Sequence, residues 1–507
     1  MSPSAPDALP TDVGPVPTSD PLGAGGLGGH PRGLTTLFFT EMWERFSFYG
    51  MRALLMLFMV KAAAEGGLGY DTKRAAAIYG TYTMSVYLLS ILGGFIADNF
   101  IGARRAVLAG GIVIACGHFS MAFDSVPAFF AGLVLIALGT GLLKPNISTM
   151  VGTLYPPHDE RRDAGFSIFY MGINLGAFLA PLVTGFLAQG TWWPARLAAW
   201  GLNPLRSWHW GFAAAGIGMT LGVVMYVLQR GRLAHVGHAP APGAARPWGR
   251  LGLVALGSLA LIVIMEACDE HPQLVYGLFA FQIAAILYFA FRPGPDHPRL
   301  AAILVFFFAA EVFWAIFEQS GSTLTLFADQ LTRNEVLGLA FPSSWWQSVN
   351  SIWVIVLAPV FAFLWIRLGS RQPSSPLKFA LGLLFVALSF LLMVPAARLT
   401  AAGRVGPAWL LGLYLLQTVG EMLLSPVGLS TMTKLAPARL VGLVMGLWFL
   451  ADALGNKLAG VLAGEFQGGD PGHLATFFWH QALGVGACTL VLFALVPWVR
   501  KLMGGVR

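Results

Sequence analysis

A helix that must lie among lipid chains and yet carries four charges constrains this chain more than any other feature. The stretch from Phe38 ends in seven apolar residues, Leu54 to Val60, and reads as a membrane helix. Its earlier part holds Glu41, Glu44, Arg45 and Arg52. At about 3.6 residues per turn, Glu41, Glu44, Arg45, Phe48 and Arg52 fall on one face. Each charge at the bilayer centre costs roughly 2.5–3.5 kcal/mol, so four facing lipid would cost on the order of 10 kcal/mol. The face must point into a bundle or a wet cavity, with its charges paired. An interfacial helix among headgroups is the alternative, but Phe, Trp and Met crowd the charged half and a long apolar run follows it.

Composition agrees. Of 507 residues, 56% are hydrophobic and 11% charged, against about 25% charged in soluble domains. The expected class is an all-α polytopic membrane protein. The net charge is +7 without a block of Lys and Arg, which excludes a nucleic-acid partner. Cys116, Cys268 and Cys488 are too few and too scattered for a disulfide framework or a metal site. Residues 1–33, rich in Pro, Gly and Ala, read as a disordered tail rather than a signal peptide. Within them Gly23 to Gly28 matches G-x-G-x-x-G by letters, but no strand precedes it.

Apolar stretches of about 20 residues span a bilayer. The spacing predicts six over 34–61, 75–99, 104–123, 127–154, 163–189 and 208–229. Two more follow at 251–268 and 273–291, then six at 298–331, 340–368, 376–395, 407–435, 438–464 and 473–501. The expected organisation is a six-helix unit over 34–229, a linker with two extra membrane helices over 230–297, and a second six-helix unit over 298–507. That makes 14 membrane helices. Lys and Arg gather on one set of loops, including Arg104, Arg105, Arg161, Arg162, Arg371, Lys434, Arg439, Arg500, Lys501 and Arg507. The positive-inside rule then puts both termini on the cytoplasmic side of the inner membrane.

Several local patterns are more specific. Glu41-x-x-Glu44-Arg45-Phe46-x-x-Tyr49-Gly50 opens the first span, and Gly139 to Asn146 sets Lys144 in mid-helix before Pro145. Phe169 to Ala177 offers Asn174 between Gly172 and Gly176. Trp314 to Ser322 carries Glu318, and Val419 to Leu429 carries Glu421. Gln347 and Asn350 share a face, as do Tyr414, Gln417, Glu421 and Ser425, with Pro426 expected to kink that helix. Together these resemble the proton-dependent oligopeptide transporter (POT) family of the major facilitator superfamily, whose bacterial members also carry two extra helices. The opening pattern is close to the family's E-x-x-E-R-F-x-Y-Y-G. Phe48 replaces the first Tyr, Ala177 stands where Ser is usual, and Gly80 stands where animal members carry a His. If coupling there needs an imidazole, this chain must use carboxylates.

The resemblance implies a function and a set of roles. The chain is expected to be a proton-coupled symporter that imports di- and tripeptides by alternating access, with no cofactor besides protons and no enzymatic activity. Glu41, Glu44, Arg45 and Glu318 would couple protons. Tyr49, Arg52 and Lys144 would take the peptide carboxylate, Glu421 with Asn174 and Asn350 its amino group, and Tyr87 and Trp448 its side chains. Asp98, and an Arg52–Glu318 pair, would gate. Asp452 and Lys457 read as a structural ion pair, His118 and His480 as core or interface residues, and Glu311 has no assigned role. A monomer is expected. A peptide-binding receptor without transport would use the same cavity.

Overall fold

The structure, a computed structural model, describes residues 25–156, 159–233, 236–241, 246–437 and 440–505. Residues 1–24 of the expected tail, and Arg439 and Arg507 of the charge argument, lie outside the described residues. In hydrocarbon every backbone N–H and C=O must be satisfied within its own segment, and the apolar stretches accordingly form long helices. The first set is α1 (Arg32–Val60), α2 (Thr72–Ile96), α3 (Ala103–Met121), α4 (Val126–Thr153), α5 (Arg161–Gln189) and, after a short α6 (Trp192–Ala199), α7 (Ser207–Gln229). Then come α8 (Trp248–Glu270) and α9 (Leu274–Phe291). The second set is α10 (His297–Phe317), its continuation α11 (Thr323–Leu331), α12 (Gln347–Leu368), α13 (Ser375–Leu399), α14 (Ala408–Leu435), α15 (Val441–Ala463) and α16 (Pro471–Leu502). Among the described residues twelve spans are long and apolar enough to cross a membrane. The other two long helices are α1, with its four charges, and α3, which begins on Arg104 and Arg105.

Two boundaries differ from the sequence reading. Residues 25–31 are ordered: a 3-10 turn covers Leu27–Gly29, and the His30 ring is 2.9 Å from the Tyr155 hydroxyl. The span expected from residue 340 instead starts later. Glu335–Val336 (β1) and Leu339–Ala340 (β2) form a hairpin, and helix resumes at Ser343–Trp346. Pro342 explains the delay, because a proline disfavours helical backbone in the residue before it.

Within the first set α1 packs on α5 and α7, and α4 on α2 and α3; within the second, α10 packs on α15, and α13 on α14 and α16. Close approach needs glycine. A Cβ on Gly176 would lie 2.2 Å from the Met42 carbonyl oxygen, and one on Gly172 would lie 2.9 Å from the Phe38 ring. The sets meet along α2–α15 and α5–α12. At the first seam Gly80 faces Gly460, where a Cβ would lie 3.0 Å from the opposite Cα. No imidazole fits at residue 80. At the second, Gln189 Nε2 donates to Ser343 Oγ (2.9 Å), and its Oε1 accepts from the Ser344 amide (3.0 Å). These contacts tie the sets together at the end away from the carboxyl terminus.

α8 lies against α2 and α15, and α9 against α10. Lys457 Nζ donates to Asp269 Oδ2 (2.5 Å) and to Thr81 Oγ1 (2.8 Å), binding α15 to α8 and α2. Gln282 Nε2 on α9 donates to Glu311 (2.7 Å). The expected Asp452–Lys457 pair is therefore absent among the described residues. Five residues advance a helix by about 500°, which leaves the two side chains some 140° apart.

Candidate functional site

The site begins with an interruption. The span expected as one helix over 298–331 breaks where Glu318–Gly321 tightens to 3-10 and Ser322 leaves helical geometry (φ −126°, ψ −88°). In a straight helix Glu318 and Ser320 would point about 160° apart. The break turns both toward Arg52 on α1. Arg52 Nη2 donates to Glu318 Oε2 (2.5 Å) and to Ser320 Oγ (3.3 Å), while Nε donates to the Tyr79 hydroxyl (2.6 Å). The expected Arg52–Glu318 pair is thus formed, is buried on both sides, and joins the two helix sets.

Two turns earlier on α1 lies a second cluster. Arg45 Nε is 2.8 Å from Glu41 Oε1 and 2.5 Å from Glu44 Oε2, all three side chains being buried. These are charge contacts rather than directed hydrogen bonds: Arg45 Nη2, Glu41 Oε2 and both Glu44 oxygens have no hydrogen-bond partner among the described residues. The guanidinium also stands over the Phe48 ring, 5.6 Å from its centroid. Two carboxylates thus share one guanidinium, with Lys144 a further electrostatic neighbour of both.

Between the two sets lies a cavity of about 90 Å³ bounded by Tyr49, Arg52, Tyr87, Glu318, Asn350 and Glu421, among others. Asn350 Nδ2 donates to Glu421 Oε2 and to Thr418 Oγ1, 3.0 Å each. Lys144 Nζ sits 3.5 Å above the centre of the Tyr87 ring, a cation–π contact. It makes no ion pair with Glu41 or Glu44 among the described residues, although both, with Arg45, are its electrostatic neighbours. Its electrostatic neighbours include Asp452 of α15 across the gap.

Three expected site residues sit differently. Asn174 Nδ2 donates to the Tyr170 carbonyl of its own helix (3.0 Å) and does not reach Glu421. Trp448 is buried against Gly428, packing α15 on α14 outside this cavity. Asp98 lies exposed in a π-turn, Ala97–Ile101, with no ion pair among the described residues. Sequence reasoning missed Tyr79 and left Asp452 in the wrong pair. Tyr79 and Thr83, at i−8 and i−4 of Tyr87, form a stripe that periodicity exposes.

The neighbours of this chain agree with the motifs. Residues 104–471 match the sequence profile of the POT family. The chain is 40% identical over 510 residues to the peptide transporter YePEPT of Yersinia enterocolitica, covering 94% of this chain and 96% of that one. It is 36% identical over 505 residues to the di-/tripeptide transporter of Lactococcus lactis subsp. cremoris, covering 94% and 98%. Among solved structures, the crystal structure of a POT peptide transporter, a glutamate-to-glutamine variant in complex with alafosfalin, superposes with a TM-score of 0.82. That pair is 40% identical, with 95% of this chain and 98% of the other covered. The chain belongs to the POT family, the proton-dependent oligopeptide transporters.

Proposed function

We propose that this protein is a proton-coupled symporter that imports di- and tripeptides through alternate exposure of the cavity between its two helix sets. One observation carries the reading: a buried cluster of two carboxylates on one guanidinium stands beside a cavity whose charges come from both sets. In this family such a cavity takes a zwitterion. Arg52 and Lys144, with Tyr49, face one way, and Glu421 with Asn350 faces the other, so a short peptide bridges the sets by its two ends. Tyr87 bounds the space for its side chains.

Coupling follows from charge balance. Glu41 and Glu44 share Arg45 and the nearby charge of Lys144, so a peptide carboxylate that engages Lys144 leaves a carboxylate charge there that a proton offsets. Arg52 holds Glu318 until a proton on the acid, or a peptide carboxylate competing for the guanidinium, releases it. Release frees the contact that joins α1 to α10 and lets the sets rock about the midplane site. Peptide and proton each lower part of one barrier, and therefore move together. The supporting cast is the seam at Gln189, Ser343 and Ser344, which must part in the opposite state. The Lys and Arg bias of the loops supports cytoplasmic termini in an inner-membrane protein, and the cavity, complete within one chain, supports a working monomer.

The test is uptake of a labelled dipeptide into liposomes holding the purified protein, under an imposed inward proton gradient. Accumulation that an uncoupler abolishes supports the reading. Binding without uptake would make the protein a receptor and overturn it.

A further inference from the structure

A second and larger cavity lies at the end of the second helix set that bears the chain's carboxyl end. Its volume is about 1230 Å³, above the roughly 300–1,000 Å³ of ordinary small-molecule sites. It opens where α12, α14 and α16 end and α13 begins. Among the described residues five cations border it, Arg371, Lys378, Lys434, Arg500 and Lys501, and no acid does. Arg371, Lys434, Arg500 and Lys501 make no ion pair among the described residues. Lys378 is built in: its side chain is 8% exposed, its Nζ donates to Gln372 Oε1 (3.0 Å), and it lies 4.1 Å from the centre of the Trp365 ring.

Two ordinary explanations fall short. Cations suit the carboxyl ends of helices, but three converging ends supply only about −0.5 each, near −1.5 in all. Five positive charges exceed that threefold. Topology alone asks for exposed cations on the loops, and does not bury a lysine in a cavity wall free of acids. The remaining charge calls for an anion. Ser374, Ser430 and Thr431 also line the space, the Thr431 hydroxyl donating to Ser375 Oγ (3.0 Å), and Pro376, Val427 and Pro497 give it an apolar wall.

We propose that this basic cavity binds a phosphate-bearing anion, supplied either by the headgroup of an anionic phospholipid or by a soluble phosphate. Several separated cations and hydroxyls suit the oxygens of a phosphate better than a single carboxylate. The site is distinct from the peptide cavity but shares α14 with it, since Glu421 and Met422 are adjacent and turn toward different spaces.

The experiment uses the full chain in detergent, with thermal unfolding read against added phosphatidylglycerol, matched phosphatidylcholine, and inorganic phosphate at constant ionic strength. Phosphatidylglycerol or phosphate should raise Tm by about 2–4 °C over phosphatidylcholine. A rise with phosphate alone identifies a soluble ligand, and a rise with phosphatidylglycerol alone a lipid. The triple variant R371Q/K434Q/R500Q should lose most of the rise, while R398Q/R404Q, at the opposite end of the bundle, should keep it. No rise with either anion, or an undiminished rise in the triple variant, overturns the proposal. Should the triple variant fail to fold, native mass spectrometry of Lys378→Gln decides instead: loss of retained phosphatidylglycerol or phosphate supports the site, and wild-type retention overturns it.

Discussion

Glu318→Gln is the most informative single change in the cavity. Gln keeps the shape of Glu318 and a carbonyl oxygen for Arg52, so the packing survives while the charge goes. Both side chains of the pair are about 5% exposed. Removing one partner of a buried pair costs about 3–5 kcal/mol. Tyr79 and Ser320 still accept from the guanidinium, which places the cost near 3 kcal/mol, or roughly a hundredfold in the ratio of two states. The state in which α1 is held to α10 should therefore lose its advantage. The assay is a distance distribution between spin labels at Trp192 and Leu339, one on each helix set and both exposed, in a chain freed of its three cysteines. The variant should broaden or lengthen that distribution and lose gradient-driven uptake. The double variant R52Q/E318Q removes both charges, and should restore the distances but not the uptake. Wild-type distances together with uptake within threefold of normal in Glu318→Gln would refute the argument.

Other expectations follow from the same geometry. Lys144→Ala removes the cation over Tyr87 and should abolish gradient-driven uptake; near-normal uptake at matched expression would contradict its role. Glu421→Gln should weaken a free dipeptide about tenfold and an N-acetylated one little, because a charge-assisted hydrogen bond is about twice as strong as a neutral one; competition assays with both ligands check this. Gly80→Ala places a Cβ 3.0 Å from the Gly460 Cα and should lower Tm by several degrees, since neither backbone can retreat without opening the α2–α15 seam.

The fold was legible because lipid leaves few options: a stretch of about 20 apolar residues must be a helix, and a charged stripe must face inward. The α1 stripe named its buried charges before any coordinates. What lay hidden depended on departures from regular helix. Ser320 meets Arg52 only because the helix breaks after Phe317, and no apolar period announces that break. Lys457 finds Asp269 on α8, a contact that requires knowing where the extra helices dock. Asn174 Nδ2 donates to the Tyr170 carbonyl of its own helix, a side-chain choice that helical spacing does not announce. Sequence periodicity assigns a face but does not fix a rotamer. Trp448 shows the same limit, since a tryptophan on a cavity-forming helix can instead fill the space over a glycine such as Gly428.

The central claim is that Glu44 on α1 carries the coupling proton, and Glu44→Gln tests it most directly. Glu44 is fully buried beside Arg45, and Gln retains its size and most of its hydrogen-bonding capacity without a titratable charge. Two fluxes are measured in the same proteoliposomes: uptake of labelled dipeptide driven by an inward proton gradient, and exchange of labelled for unlabelled dipeptide with no gradient. The account predicts that the variant loses concentrative uptake and keeps exchange, because exchange needs binding and rocking but no net proton release. Retention of both fluxes at wild-type rates would contradict it and move the proton to Glu41 or Glu318.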